Sequence, residues 1–299
     1  MMDSSNPVVV KLLSEIKQSP EIRQALLREL EQHRGRRVVS YFTSFRFPVL
    51  IEDGDAEMIE GVLQKLDLSS GLDLIVNSPG GDILAAERVV NVCRTYSGGD
   101  FEVIVPGKAK SAATMICLGA KRILLSDTSE LGPIDPQVLL PQEDGRFAFV
   151  SAWSIIESYR ELLKQAVQCE GRIEPFLQQL ERYDARLIKE WERDRALTGD
   201  IAVQLLKTGM MPNVGPKRIK DKINLLLDPE ATKSHGRPIY WQRLQEMGLR
   251  VEHVDNRSEL WQLVFELHTR SDWYVSNYAS KLIETCEHHF EVSPPEPGR

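Results

Sequence analysis

The chain has 299 residues, 42% of them hydrophobic and 27% charged, and a formal net charge of −7. That composition is globular and excludes a disordered or collagen-like chain, and the length allows one large domain or two small ones. An acidic balance gives no global electrostatic reason to bind nucleic acid, so none is expected as a partner.

The N-terminus, Met1-Met2-Asp3-Ser4-Ser5-Asn6-Pro7, lacks a basic segment followed by an apolar one, so no secretory leader is expected. Val8 to Arg34 carries Leu12, Leu13, Ile16, Ile22, Leu26, Leu27 and Leu30 at threes and fours. This predicts an N-terminal helical arm, broken at Ser19-Pro20 and stopped by Gly35. Arg37 to Thr43 is β-branched and aromatic and reads as a strand; Asp53-Gly54-Asp55 caps a helix reaching Leu66. Leu72 to Asn77, Phe101 to Val105 and Ile123 to Leu125 are short apolar strands. Between them lie helices from Ile83 and from Ser111 to Gly119. Strands alternating with helices over residues 36–150 imply a mostly parallel sheet with crossover helices. From Ser151 the pattern turns helical, with stripes at Trp153 to Val167, Ile173 to Trp191, Ile201 to Leu206, Ile219 to Leu227 and Arg257 to Thr269. The Pro-rich end after Ser293 reads as a disordered tail.

Ligands in such sheets bind at the carboxyl ends of strands. Three features fall there. Asn77-Ser78-Pro79-Gly80-Gly81-Asp82 joins a strand to a helix. Its paired glycines let backbone N–H groups approach an anion in front of a positive helix end. That anion is a phosphate or an acyl-transfer oxyanion; a plain tight turn is the alternative, and no nucleotide fingerprint occurs in the chain. Ser111 heads a helix of small residues, with the Ala112 N–H free to donate; an ordinary N-cap is the other reading. Ser129 to Gln137 contains two prolines and a glycine, which suit a rigid wall.

Together these features resemble the Clp protease/crotonase superfold, and the chain is most similar to the serine dehydrogenase proteinase family of Clp-fold serine proteases, related to signal peptide peptidases. The resemblance is carried by V-N-S-P-G-G, K-S-A-A-T and S-E-L-G-P-I-D-P-Q. Ser234-His235-Gly236-Arg237-Pro238-Ile239 and Met247-Gly248-Leu249-Arg250-Val251 add to it. It implies an N-terminal arm at 1–35, a Clp/crotonase-like protease domain at 36–255, and a C-terminal helix and tail at 256–299. It implies a serine endopeptidase with Ser111 as nucleophile, the Gly80 and Ala112 amides as oxyanion donors and Gly81 beside them in the oxyanion and substrate-binding turn. A Clp-type triad has His about 25 residues after the Ser. Here Asp135 stands 24 residues on, and no His lies between Ser111 and His235. The base is therefore open among His235, Lys108, Lys110 and Lys164. A crotonase-like acyl-thioester enzyme and a non-catalytic scaffold are the competing functions.

The expected substrate is a peptide or an unfolded protein, with self-assembly into a homo-oligomer, and the Clp resemblance admits an ATPase partner. Cys93, Cys117, Cys169 and Cys286 form no C-x-x-C pair, and His and carboxylates are scattered without ligand spacing. No metal or cofactor is expected, and the cysteine usage suits a reducing compartment. No window approaches a membrane span, so a cytoplasmic location is expected. The basic stretch Lys217-Arg218-Ile219-Lys220-Asp221-Lys222 is the best candidate for phosphate contact, although a solvated helix face is its default reading.

Overall fold

A computed structural model describes residues 19–46, 49–141 and 145–294. The first half of the predicted arm and the last five residues lie outside them. Helix α1 (Pro20–Arg34) starts with proline in its first turn and ends on Gly35, whose φ of +64° is the left-handed stop the sequence suggests. The α/β layer then runs β1 (Arg37–Thr43), α2 (Asp53–Leu63), β2 (Leu72–Asn77), α3 (Ile83–Tyr96), β3 (Phe101–Val105), β4 (Lys108–Ala109), α4 (Ala112–Gly119), β5 (Ile123–Leu125) and β6 (Glu130–Leu131).

The main sheet has the order β11-β10-β1-β2-β3-β5-β9, with β9 at Val251–His253, β10 at Lys281–Glu284 and β11 at His289–Val292. Strands β1, β2, β3, β5 and β9 are parallel, and β10 and β11 are antiparallel. Alternate side chains face two separate cores. Val39, Tyr41, Leu74, Val76, Val103 and Val105 pack with α2, α3 and α4. Val38, Phe42, Ile75 and Ile104 pack with α1 and with the C-terminal helix Glu259–Asn277. Burial on both faces explains why these strands are continuous apolar runs.

The later region departs from the sequence reading in three ways. β7 (Gln137–Pro141) pairs antiparallel with β8 (Phe147–Ser151), beyond the Ser129 to Gln137 wall and not among the expected strands. The stripe from Ile173 splits after α5 (Ala152–Gln168) into a short helix α6 (Glu174–Leu180) and a long α7 (Ala185–Thr208) that absorbs Ile201 to Leu206. The segment after residue 256 is no loose appendage. Beyond its helix it adds β10 beside β1, with Ser40 paired to Glu284 and Thr43 to Lys281. Lys281 and Glu284 are both buried there. Charged ends made this strand illegible, because charge is ordinarily read as a wet face. No helix among the described residues is long and apolar enough to cross a membrane.

Candidate active site

The Ser78 to Gly81 turn is fixed by polar groups at the strand ends. Thr43 Oγ1 donates to Ser78 Oγ at 2.7 Å, and Ser78 Oγ accepts from the Gly80 N–H at 3.1 Å. Parallel bridges tie Ser78 to Ala109 and Gly81 to Ile51. Gly80 has a φ of +106°, and a Cβ there would lie 2.6 Å from the Lys110 carbonyl and 2.7 Å from Ser111 Cβ. The turn and the serine loop therefore touch, and only glycine permits the contact.

Ser111 precedes α4 at φ +50°, ψ −118°, a region that non-glycine residues rarely occupy. Its hydroxyl makes no capping bond, which removes the ordinary N-cap reading. The strained backbone thus leaves a hydroxyl without a capping partner at a strand-to-helix turn. Thr114 Oγ1 braces the loop by donating to the Ala109 carbonyl at 2.7 Å and accepting from the Gly132 N–H at 3.1 Å.

Ser111 opens into a cavity of about 530 Å³ lined also by Gly81, Ile83, Ile134, Phe149, Leu197 and His235. His235 comes from the loop ahead of Ile239, and Ile239 bridges to Leu131. Its Nδ1 lies 2.7 Å from Asp135 Oδ1 across a sequence separation of 100. Asp135 is buried, and its other oxygen accepts from Gln137 Nε2 at 2.9 Å and Ser151 Oγ at 3.1 Å. Those two donors face each other at the base of the β7–β8 hairpin. The carboxylate is thus held from two sides while it holds the imidazole. Such an imidazole presents Nε2 as an acceptor. Among the described residues, Ser111 Oγ has no hydrogen-bond partner, so the serine and histidine share the cavity without being bonded.

Two backbone N–H groups beside the serine, those of Gly81 and Ala112, donate no hydrogen bond among the described residues. The Gly80 N–H is occupied by Ser78 Oγ, and Gly80 does not line the cavity. Of the glycine pair, the second therefore offers the free donor.

The three lysines lie elsewhere. Lys110 Nζ pairs with Glu130 Oε1 at 2.6 Å. Lys108 Nζ sits 5.9 Å from the centre of the Phe45 ring. Lys164 is exposed on α5, and none of the three lines the cavity. The pairing of Asp135 with His235 escapes the sequence reading, which notes Asp135 only for standing 24 residues after Ser111. The extended Pro-containing wall was its one local signal: Ile134 and Pro136 do line the cavity.

Residues 8–144 match the family described as ClpP-like SDH-type serine proteinase. The resemblance read from the motifs is borne out over that stretch, which ends before His235. An uncharacterized protein of Methanocaldococcus jannaschii is 32% identical over 130 residues, covering 41% of this chain and 45% of its own length. A second uncharacterized protein of the same organism is 27% identical over 237 residues, covering 77% of this chain and 71% of its own. The chain thus spans less than half the length of the first relative. Among solved structures, the membrane-bound stomatin-specific protease 1510-N, a mutant in complex with a substrate peptide, aligns with 78% of this chain and 98% of its own. The sequence identity is 13% and the TM-score 0.28, too low to carry an argument.

Proposed function

From the match of residues 8–144 to the ClpP-like SDH-type serine proteinases, we propose that the chain is a serine endopeptidase with Ser111, His235 and Asp135 as its triad. The observation that carries this reading is the strained, uncapped Ser111 sharing a cavity with a histidine whose far nitrogen is held by a buried carboxylate.

In this mechanism Ser111 Oγ attacks the scissile carbonyl while His235 Nε2 takes its proton. The carbonyl electron pair moves to oxygen, which the Gly81 and Ala112 N–H groups receive. Collapse breaks the C–N bond, and His235 returns the proton to the leaving amine. Water then hydrolyses the acyl-serine by the same route in reverse. Asp135 fixes the ring tautomer and orientation. The serine–histidine bond closes when substrate fills the cavity, as is common where unliganded sites are loose. Leu50, Ile83, Leu197 and Phe149 on the cavity wall suit an apolar substrate side chain.

A fluorescent phosphonate tests the reading. Wild type is expected to be labelled and Ser111→Ala is not; casein cleavage should vanish with the labelling. Labelling that survives the substitution refutes the assignment, and turnover of a coenzyme A thioester independent of Ser111 would favour the crotonase-like alternative. Exposed apolar side chains at Phe147, Leu163, Val167 and Leu177 support self-assembly, which light scattering would register as a mass above the 34.0 kDa of one chain.

A further inference from the structure

A second cavity, also about 530 Å³, lies behind the wall that carries Asp135. Ile134, Pro136 and Thr198 line both cavities. The first is mainly apolar, whereas the second is rimmed by charge: Arg160 from α5, Lys189, Glu192 and Arg195 from α7, and Lys220 from α8 (Pro216–Lys222), with Asp228 beyond.

Every carboxylate in this cavity is committed. Glu192 is shared by Arg160 at 2.7 Å and Lys189 at 2.8 Å. Asp228 caps a helix by accepting from the Glu230 N–H at 3.0 Å, and Asp135 faces His235. Arg195 and Lys220 have no partner among the described residues.

Both cations border the same face of α7. Arg195 and Gly199 are four apart on α7, so they occupy one face, about 5–6 Å from each other. Lys220 Nζ lies 3.6 Å from where a Gly199 Cβ would sit. Both cations thus border one concave site without a carboxylate partner, Lys220 at its exposed rim. Asn224, whose Nδ2 donates to Asp228 Oδ2 at 3.4 Å, completes the lining. A guanidinium fork beside an ammonium point charge is the donor set that a phosphate group, with its several acceptor oxygens, satisfies.

We propose that this cavity binds a small phosphorylated molecule, its phosphate bridging Arg195 and Lys220. This absorbs the one basic stretch the peptidase reading leaves unused, and it assigns phosphate contact to Lys220 alone within that stretch. The proposal does not depend on peptidase activity.

The test is calorimetric titration of the full chain with sodium pyrophosphate at constant ionic strength. Wild type is expected to show saturable binding at one site. Arg195→Gln and Lys220→Gln should each weaken it at least about tenfold, the loss expected for one charge-assisted contact. Lys217→Gln, on the same helix but outside the cavity lining, should leave it unchanged, with circular dichroism confirming that each variant is folded. Absence of saturable heat in wild type overturns the proposal whatever the variants do. So does an affinity that either cavity variant leaves unaltered.

Discussion

At position 135 the choice between asparagine and aspartate separates a structural contact from a catalytic one. Asp135→Asn keeps the size of the side chain and a possible contact to His235, but it removes the charge that favours an imidazolium during attack. Phosphonate labelling of Ser111 is expected to slow by about 10²–10⁴, the range for loss of general-base assistance. His235→Ala should fall in the same range, and the double variant should be little slower than either single one, because the two residues act as a unit. Lys110→Met and Lys164→Met should label at the wild-type rate, since neither side chain reaches the cavity. Slow labelling in Lys110→Met with a normal rate in His235→Ala would transfer the base to the lysine. Gly81→Ala is a harsher change: its Cβ would lie 2.3 Å from the Ile51 nitrogen, so loss of labelling there reports a displaced turn. Ser111 and the glycine pair were legible in the sequence because a strand, a turn and a helix of small residues form a local motif. The His235–Asp135 pair was not, since its 100-residue separation is closed only by tertiary packing.

Two hairpins show how elements set the behaviour of single side chains. In β7–β8, Gln137 and Ser151 pair across the strands and both donate to Asp135 Oδ2. Removing both donors, as in Gln137→Ala with Ser151→Ala, frees the carboxylate to turn away from His235 and should slow labelling of Ser111. An unchanged rate would mean that these two side chains only fill space. In β10–β11, the His289 pKa is raised, chiefly by the hydrogen bond to Glu284, against a smaller opposing effect of burial. A raised folded value favours the folded state fully below the unfolded value near 6.5. That stabilisation is lost as pH rises through the folded value. Amides of residues 281–292 should therefore exchange faster at pH 9 than at pH 6 after correction for intrinsic rates, and His289→Gln should flatten the difference. This hairpin gave no period-two apolar signal, because β10 buries Lys281 and Glu284 at its ends on either side of Leu282 and Ile283.

Across the whole molecule, the decisive question is whether residues 256–299 form a separable region, as the sequence suggests, or part of the main body. The structure makes the helix Glu259–Asn277 and strand β10 part of the two cores. Val264 and Leu267 cover the α1 face of the sheet with Leu27 and Leu30. Lys281 Nζ, almost wholly buried, reaches Asp55 at 2.9 Å and Glu52 at 2.6 Å, while Tyr41 donates to the same Asp55 at 2.7 Å. Deleting the segment would uncover one face of β1 and leave Asp55, itself fully buried, without its cation. Breaking a buried pair by removing one partner costs about 3–5 kcal/mol, a large part of the stability of most domains. Lys281→Met is therefore expected to lower the urea midpoint sharply, whereas Lys281→Met with Asp55→Asn should recover part of the loss because no orphan charge remains. A chain ending at Asp255 should fail to fold cooperatively even though all three residues of the proposed triad are present. If that truncated chain melted at the wild-type temperature and still accepted phosphonate at Ser111, the C-terminal strands would be an accessory to a self-sufficient protease domain. The paired charges beneath β1 argue for the opposite result.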